Sequence, residues 1–234
     1  MPRRVATNDI LETLAECYPD ARCALNHSNA FELLVATILS AQCTDQRVNI
    51  ITERLFQKAR TPETILALGQ DRLEEEIRDC GLFHNKARNI LTTCQILLEQ
   101  YGGEVPQTRD ELMRLPGVGR KTANVVVSNA FGEPAIAVDT HVFRVANRLG
   151  LAQAKTPEET EQQLMRRIPR DLWSPAHHWL IHHGRQVCHA RKPACEVCRL
   201  SPYCAHAAGI RSQGAKAAGA ASGGKPRRPP ADKP

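Results

Sequence analysis

At 234 residues the chain is long enough for one large or two small domains with a proper core. Aromatic residues make up only 4% of it, so Leu, Ile, Val and Ala carry the apolar content, which favours packed helices over a β-sandwich. The net charge of +6 sits almost entirely in residues 209–234, leaving residues 1–208 near neutral, so bulk charge does not mark a nucleic-acid binder. No apolar run is long enough to span a bilayer, and the N-terminus lacks the apolar core of a secretory signal; a soluble, cytoplasmic protein without membrane contact is expected.

In chain order, nearly every segment carries helical start and stop signals. Phe31 to Leu39 and Val48 to Phe56 place apolar residues at three- and four-residue spacing. Thr61-Pro62-Glu63 puts a cap and a first-turn proline before Ile65, Leu66 and Leu68, with Gly69 as the stop. Leu73, Ile77 and Cys80 make a further face closed by Gly81, and Ile90, Leu91, Cys94, Leu97 and Leu98 make the next. Thr108-Arg109-Asp110-Glu111 reads as a capping box ahead of Leu112, Met113 and Leu115. Pro116-Gly117 then breaks the helix, and another runs through Thr122, Ala123, Val125 and Val126. Ala135 to Val138 reads as a short extended stretch. Asp139 stands at the N-cap of a helix with Val142, Val145, Ala146 and Leu149 on one face, and Thr156-Pro157-Glu158-Glu159 opens one through Leu164, Met165 and Ile168. The fold class is all-α. From Gly209 onward, Gly, Ala, Ser, Pro, Lys and Arg without periodicity predict a disordered basic tail, either solubilising or attracting phosphate non-specifically.

Residues 115–123, Leu-Pro-Gly-Val-Gly-Arg-Lys-Thr-Ala, carry the strongest chemical signal. Gly117 and Gly119 can take positive φ and leave the backbone bare, so a turn opening onto a helix N-terminus offers its N–H groups to an anion such as a nucleic-acid phosphate. Lys121 falls in the first turn of that helix, where the dipole disfavours a second positive charge. Asp139 taken alone is a helix cap; taken with Lys121 it is a carboxylate facing a nucleophilic amine.

Nine cysteines divide unevenly. Cys17, Cys23, Cys43, Cys80 and Cys94 are scattered among apolar neighbours and read as buried free thiols. Cys188, Cys195, Cys198 and Cys204 cluster and read as metal ligands, fitting either a [4Fe–4S] cluster or a tetrahedral zinc, with the single close pair leaning mildly to iron–sulfur. His189 and His206 read as bystanders, and Arg191 and Lys192 lie in a basic loop pinned between the first two ligands. His177, His178, His182 and His183 lack an accompanying carboxylate or third-ligand pattern, so packing and hydrogen bonding are expected of them.

Together, residues 115–123, the Val138-Asp139-Thr140-His141 box and the four cysteines resemble the endonuclease III family of helix-hairpin-helix DNA glycosylases and apurinic/apyrimidinic lyases. Phe31-Glu32-Leu33-Leu34, Leu39-Ser40-Ala41-Gln42, Gly103-Glu104-Val105-Pro106, His177-His178-Trp179-Leu180 and Ala190-Arg191-Lys192-Pro193 extend the likeness over roughly residues 8–205. The resemblance implies a six-helix barrel domain over 23–133 containing the hairpin (about 108–130), a four-helix iron–sulfur domain from 1–22 and 134–208, and a DNA cleft between them. It implies a monomer acting on double-stranded DNA with damaged pyrimidines or abasic sites. Lys121 would be the nucleophile and Asp139 its partner, and the four cysteines would hold a [4Fe–4S] cluster. Gln42 and Leu82 would enter the duplex, while Gly117, Val118, Gly119, Arg120, His141, Arg191 and Lys192 would contact DNA. Leu82 could instead be a core residue closing a helix, and Cys80 stands where a bulkier aliphatic is usual in the family.

Overall fold

The computed structural model describes residues 6–210. The helices are α1 (Thr7–Cys17), α2 (Ala30–Leu39), α3 (Asp45–Lys58), α4 (Pro62–Ile77), α5 (Phe83–Tyr101), α6 (Arg109–Leu112), α7 (Arg120–Ala130), α8 (Thr140–Leu149), α9 (Pro157–Arg167) and α10 (Trp173–Gln186), with a 3₁₀ turn at Arg170–Leu172. Among the described residues there is no β-strand, as the all-α reading expects. The expected basic tail lies outside the described residues from 211 onward. Gly209 and Ile210, which that expectation included, are helical, within a stretch over 205–210.

The caps read from the chain do start their helices. The Thr61, Thr108 and Thr156 hydroxyls accept from the amides of Thr64, Glu111 and Glu159. Gly69, at φ 72°, interrupts α4 and leaves two helical segments on one axis break, matching its reading as a stop.

Two separate apolar cores result. One gathers side chains from α2 to α7, with α2 buried along nearly its whole length against α3, α5 and α7. The other gathers α1, α8, α9 and α10. Between α7 and α8 the chain runs extended, and its period of two is used in an unusual way. Ala135 and Ala137 enter the first core, while Ile136 and Val138 enter the second. The extended stretch needs no sheet because each of its faces already has a core to fill; Asn124 Nδ2 donates to the Ile136 carbonyl at 3.0 Å. A half-buried ion pair also joins the two halves: Arg120 on α7 grips the buried Glu161 on α9 through Nε (2.6 Å) and a terminal nitrogen (3.0 Å).

Because α2 is the shared wall of the first core, Leu33→Ala is expected to lower unfolding stability by about 2–5 kcal/mol, read from urea denaturation. A loss well under 1 kcal/mol would show that the surrounding helices close over the gap.

Candidate active site

The hairpin is built from α6, a turn and α7. Gly117 takes φ 77°, and a Cβ there would lie 2.8 Å from Asn89 Nδ2 on α5, so glycine is demanded both by backbone and by space. Gly119 departs from the expectation of positive φ: it is extended, at φ −88° and ψ 176°, and serves as N-cap of α7. Having no side chain, it supplies no cap, and nothing lies within 4 Å of where its Cβ would be. The first amides of α7 therefore face open space uncapped, which is an anion-accepting arrangement.

The side chains of two expected DNA contacts are engaged within the protein here, although the Arg120 amide remains among the uncapped ones of α7. Val118 is buried in the first core and its N–H is already bonded to the Leu115 carbonyl at 3.1 Å, so it has neither side chain nor donor to offer. The Arg120 guanidinium is held by Glu161 and is spent on joining the two cores. Spacing alone could not separate these from their neighbours, because both roles depend on elements distant in the chain.

Lys121, exposed in the first turn of α7, and Asp139, the N-cap of α8, line one cleft of about 740 Å³. Asp139 Oδ1 accepts from the amides of His141 and Val142, both at 2.8 Å, and neither bond uses Oδ2. His141 lines the same cleft, its ring Nδ1 3.2 Å from Arg144. Gln42 also lines it. Gln42 (φ 55°) and Leu82 (φ 61°) are the non-glycine residues with left-handed backbone among those described, a strain of about 1–3 kcal/mol each that tends to persist where function holds it. Leu82 is 58% exposed, which removes the reading of it as a core residue. Cys80, two residues earlier, is fully buried.

A smaller pocket of about 70 Å³ opens beneath, where Lys121 and Asp139 are joined by Cys23, His177, His178 and His182. Two of the histidines hydrogen-bond as expected: His178 Nε2 meets Asn129 Oδ1 at 3.1 Å, and His183 Nδ1 meets the Tyr18 hydroxyl at 3.0 Å, whereas the buried His177 Nδ1 has no hydrogen-bond partner among the described residues. Their place beside Lys121 was not readable, because α10 reaches the site only through tertiary packing. Burial, and next the neighbouring His178, push His177 down to about 3; burial, and next His182, push His178 down to about 4. Burial alone holds His183 near 4. Near neutral pH these imidazoles are uncharged.

Cys188, Cys195, Cys198 and Cys204 all border one cavity on the second core, with His206 among its walls rather than standing apart. Burial, and then the charge of neighbouring thiols, raises Cys195 and Cys198, so four thiolates can coexist there only around positive charge. Arg148 steadies the ligand loop, donating to the carbonyls of His189 (2.6 Å) and Ala190 (2.8 Å) and approaching Cys188 Sγ at 3.4 Å. Arg191 and Lys192 are exposed on that loop.

A helical fold with an uncapped hairpin helix, a lysine–aspartate cleft and a four-cysteine cavity defines a class of DNA-repair protein, and comparison with known proteins agrees. Residues 35–170 match the model of the HhH-GPD superfamily base excision DNA repair proteins. The chain belongs to that superfamily and, within it, to the endonuclease III family. It is 53% identical to endonuclease III of Bacillus subtilis (strain 168) over 195 residues, 83% of this chain and 89% of that protein. Two solved structures, a trapped covalent endonuclease III–DNA intermediate in an estranged-adenine complex and a non-covalent endonuclease III–DNA complex, each superpose with a TM-score of 0.84 at 51% identity. Each likeness covers 89% of this chain and 100% of that one. The chain is thus a base excision repair enzyme, a DNA glycosylase and apurinic/apyrimidinic lyase. No described helix is long and apolar enough to cross a membrane.

The buried neutral histidines set a pH dependence. Their folded values lie below the ordinary 6.5, so the unfolded chain binds more protons as pH falls below that value, and stability is lost from about pH 6.5 downward. Urea-unfolding stability is expected to fall between about pH 6.5 and 5, with a slope shallower by about 1 kcal/mol per pH unit in His177→Gln. An unchanged slope in that variant would show that His177 does not contribute.

Proposed function

We propose that Lys121 is the nucleophile and Asp139 its partner in removing oxidised pyrimidines from duplex DNA and cutting the strand 3′ to the resulting abasic site. The observation that carries this reading is their shared position: two helix N-termini, one uncapped and one capped by a carboxylate with a spare oxygen, open into one cleft. The damaged nucleotide is flipped into the cleft, since its C1′ is unreachable within the stack.

Lys121 Nζ attacks C1′ as a neutral amine, the C1′–N bond breaks, and the base leaves with the bonding electrons and takes up a proton. Asp139 Oδ2 stabilises the positive charge that builds on the sugar and takes the proton lost by the amine. The C1′–O4′ bond of the sugar ring then breaks, O4′ taking the bonding electrons and a proton while the Nζ lone pair closes the double bond, which leaves an iminium between Nζ and C1′. That electron sink acidifies the C2′–H; once it is removed, the C3′–O bond breaks and the 3′ phosphate departs. Water then releases the lysine.

DNA is held by the open amides at Gly119 and the first turn of α7, with Gly117 shaping the turn, by His141 at the cleft wall, and by Arg191 and Lys192 at phosphates. Gln42 and Leu82 enter the space vacated in the duplex. The two apolar cores support a division into a barrel domain over 23–133 and a second domain from 1–22 and 134–208, acting as a monomer.

The four cysteines would hold a [4Fe–4S] cluster. All four border one cavity, which supports a single shared centre for them. When bound, the cluster supplies the cationic centre that four thiolates require and so fixes the loop bearing Arg191 and Lys192.

With abasic-site duplex and borohydride, wild type is expected to give a covalent adduct and Lys121→Gln none; adduct formation by Lys121→Gln would overturn the assignment. Asp139→Asn keeps the helix cap, since asparagine caps equally well, and is expected to bind damaged duplex while turning over about 100-fold or more slowly. Undiminished turnover would leave Asp139 only a cap. Purified protein is expected to be brown and to contain iron and acid-labile sulfide; colourless, zinc-loaded protein would remove the cluster assignment.

A further inference from the structure

Lys86 is buried, at 4% exposure, four residues into α5 from Leu82, and its charge meets no ordinary solvation. Its three donors are all used: Nζ donates to the Leu39 carbonyl (2.9 Å), the Ala41 carbonyl (2.6 Å) and Cys80 Sγ (3.0 Å). Leu39 is the last residue of α2, so the ammonium also sits at the negative end of that helix, which favours a cation there. Cys80 Sγ in turn donates to the same Leu39 carbonyl at 3.1 Å, and the Lys86 amide donates to the Leu82 carbonyl at 3.1 Å. One side chain therefore clasps the turn that carries Gln42 and the turn that carries Leu82. The two turns are in near contact, a Cβ at Gly81 falling 3.9 Å from the Gln42 carbonyl. Cys43 leans on the same spot: burial, and then Cys80, raise its thiol.

These turns hold the two left-handed non-glycine residues of the described chain, both strained and both exposed to the duplex side. Strained backbone persists only where its surroundings over-determine it. We infer that Lys86 is the positioning residue that locks the Gln42 and Leu82 turns into a single two-pronged wedge, with Cys80 as its third acceptor. This rests on the reading of Gln42 and Leu82 as the residues that enter the duplex. A buried ammonium with fixed acceptors suits the task, since the desolvation it suffers is relieved only when both turns are in place. An aliphatic side chain in place of Cys80 would give Lys86 no third acceptor.

The test compares borohydride trapping on two abasic-site substrates, an intact duplex and a duplex lacking the nucleotide opposite the abasic site, where there is no partner base to displace. For Lys86→Met the rate on intact duplex is expected to fall roughly tenfold or more, and the rate on the gapped duplex by no more than about twofold. Equal losses on both would indicate a general structural role and overturn the inference, as would no loss on either. If Lys86→Met does not fold, Cys80→Ala serves: the intact-to-gapped ratio is expected to fall about threefold, and an unchanged ratio overturns the inference. Leu82→Ala separates the two readings. If it keeps full preference for intact duplex, the wedge reading fails; if it loses that preference while Lys86→Met retains it, only the clasp fails.

Discussion

Residues 135–138 are extended and send alternate side chains into two cores, so this short run cannot slide by even one position without emptying both. That constraint sets where α7 ends and where α8 begins. With α7 anchored in the first core and α8 in the second, the N-termini that carry Lys121 and Asp139 are obliged to open on the same cleft. The Arg120–Glu161 pair acts in the same sense, tying the start of α7 to α9 on the far core. Losing Arg120 would leave the buried Glu161 carboxylate with only the more distant Arg109, at 3.7 Å, so the two halves are coupled by electrostatics as well as by packing.

The site works through contrasts in how its groups are satisfied. The start of α7 is left uncapped and Gly119 leaves it bare, which suits an incoming phosphate; the start of α8 is fully capped, yet only one oxygen of Asp139 is used in doing so. The pocket beneath carries His177 and His178, which burial keeps neutral, so near neutral pH these two imidazoles add no positive charge to that of Arg22 and Arg185 around Lys121. Binding and chemistry thus share one element, with Gly117 and Gly119 shaping the grip and Lys121 two residues beyond.

The second core has a comparable division of labour. Arg148 on α8 steadies the carbonyls of the loop between the first two cysteines, so the exposed Arg191 and Lys192 are presented from a braced support. The same helix carries Asp139 at its opposite end, which places the loop and the cleft on one rigid body.

Much of this was legible along the chain because it is local. Caps at Thr61, Thr108, Thr156 and Asp139 and the break at Gly69 follow from hydrogen bonds and φ angles within a few residues, and they appear as expected. The family, and with it the identity of Lys121, Asp139 and the four cysteines as candidates, was likewise readable from short motifs. What only the tertiary structure decided depends on partners distant in sequence. The Val118 side chain goes to the core, the Arg120 guanidinium goes to Glu161, and Leu82 is thrown outward, while α10 brings His177 and His178 beneath Lys121. Gly119 adopts an extended backbone where positive φ was equally open to it. Lys86 reads in sequence as one more helical lysine, and its acceptors at Leu39 and Ala41 come from a different helix end. A motif specifies which residue types are available, but burial and long-range hydrogen bonding decide which of them still have a free face to offer DNA.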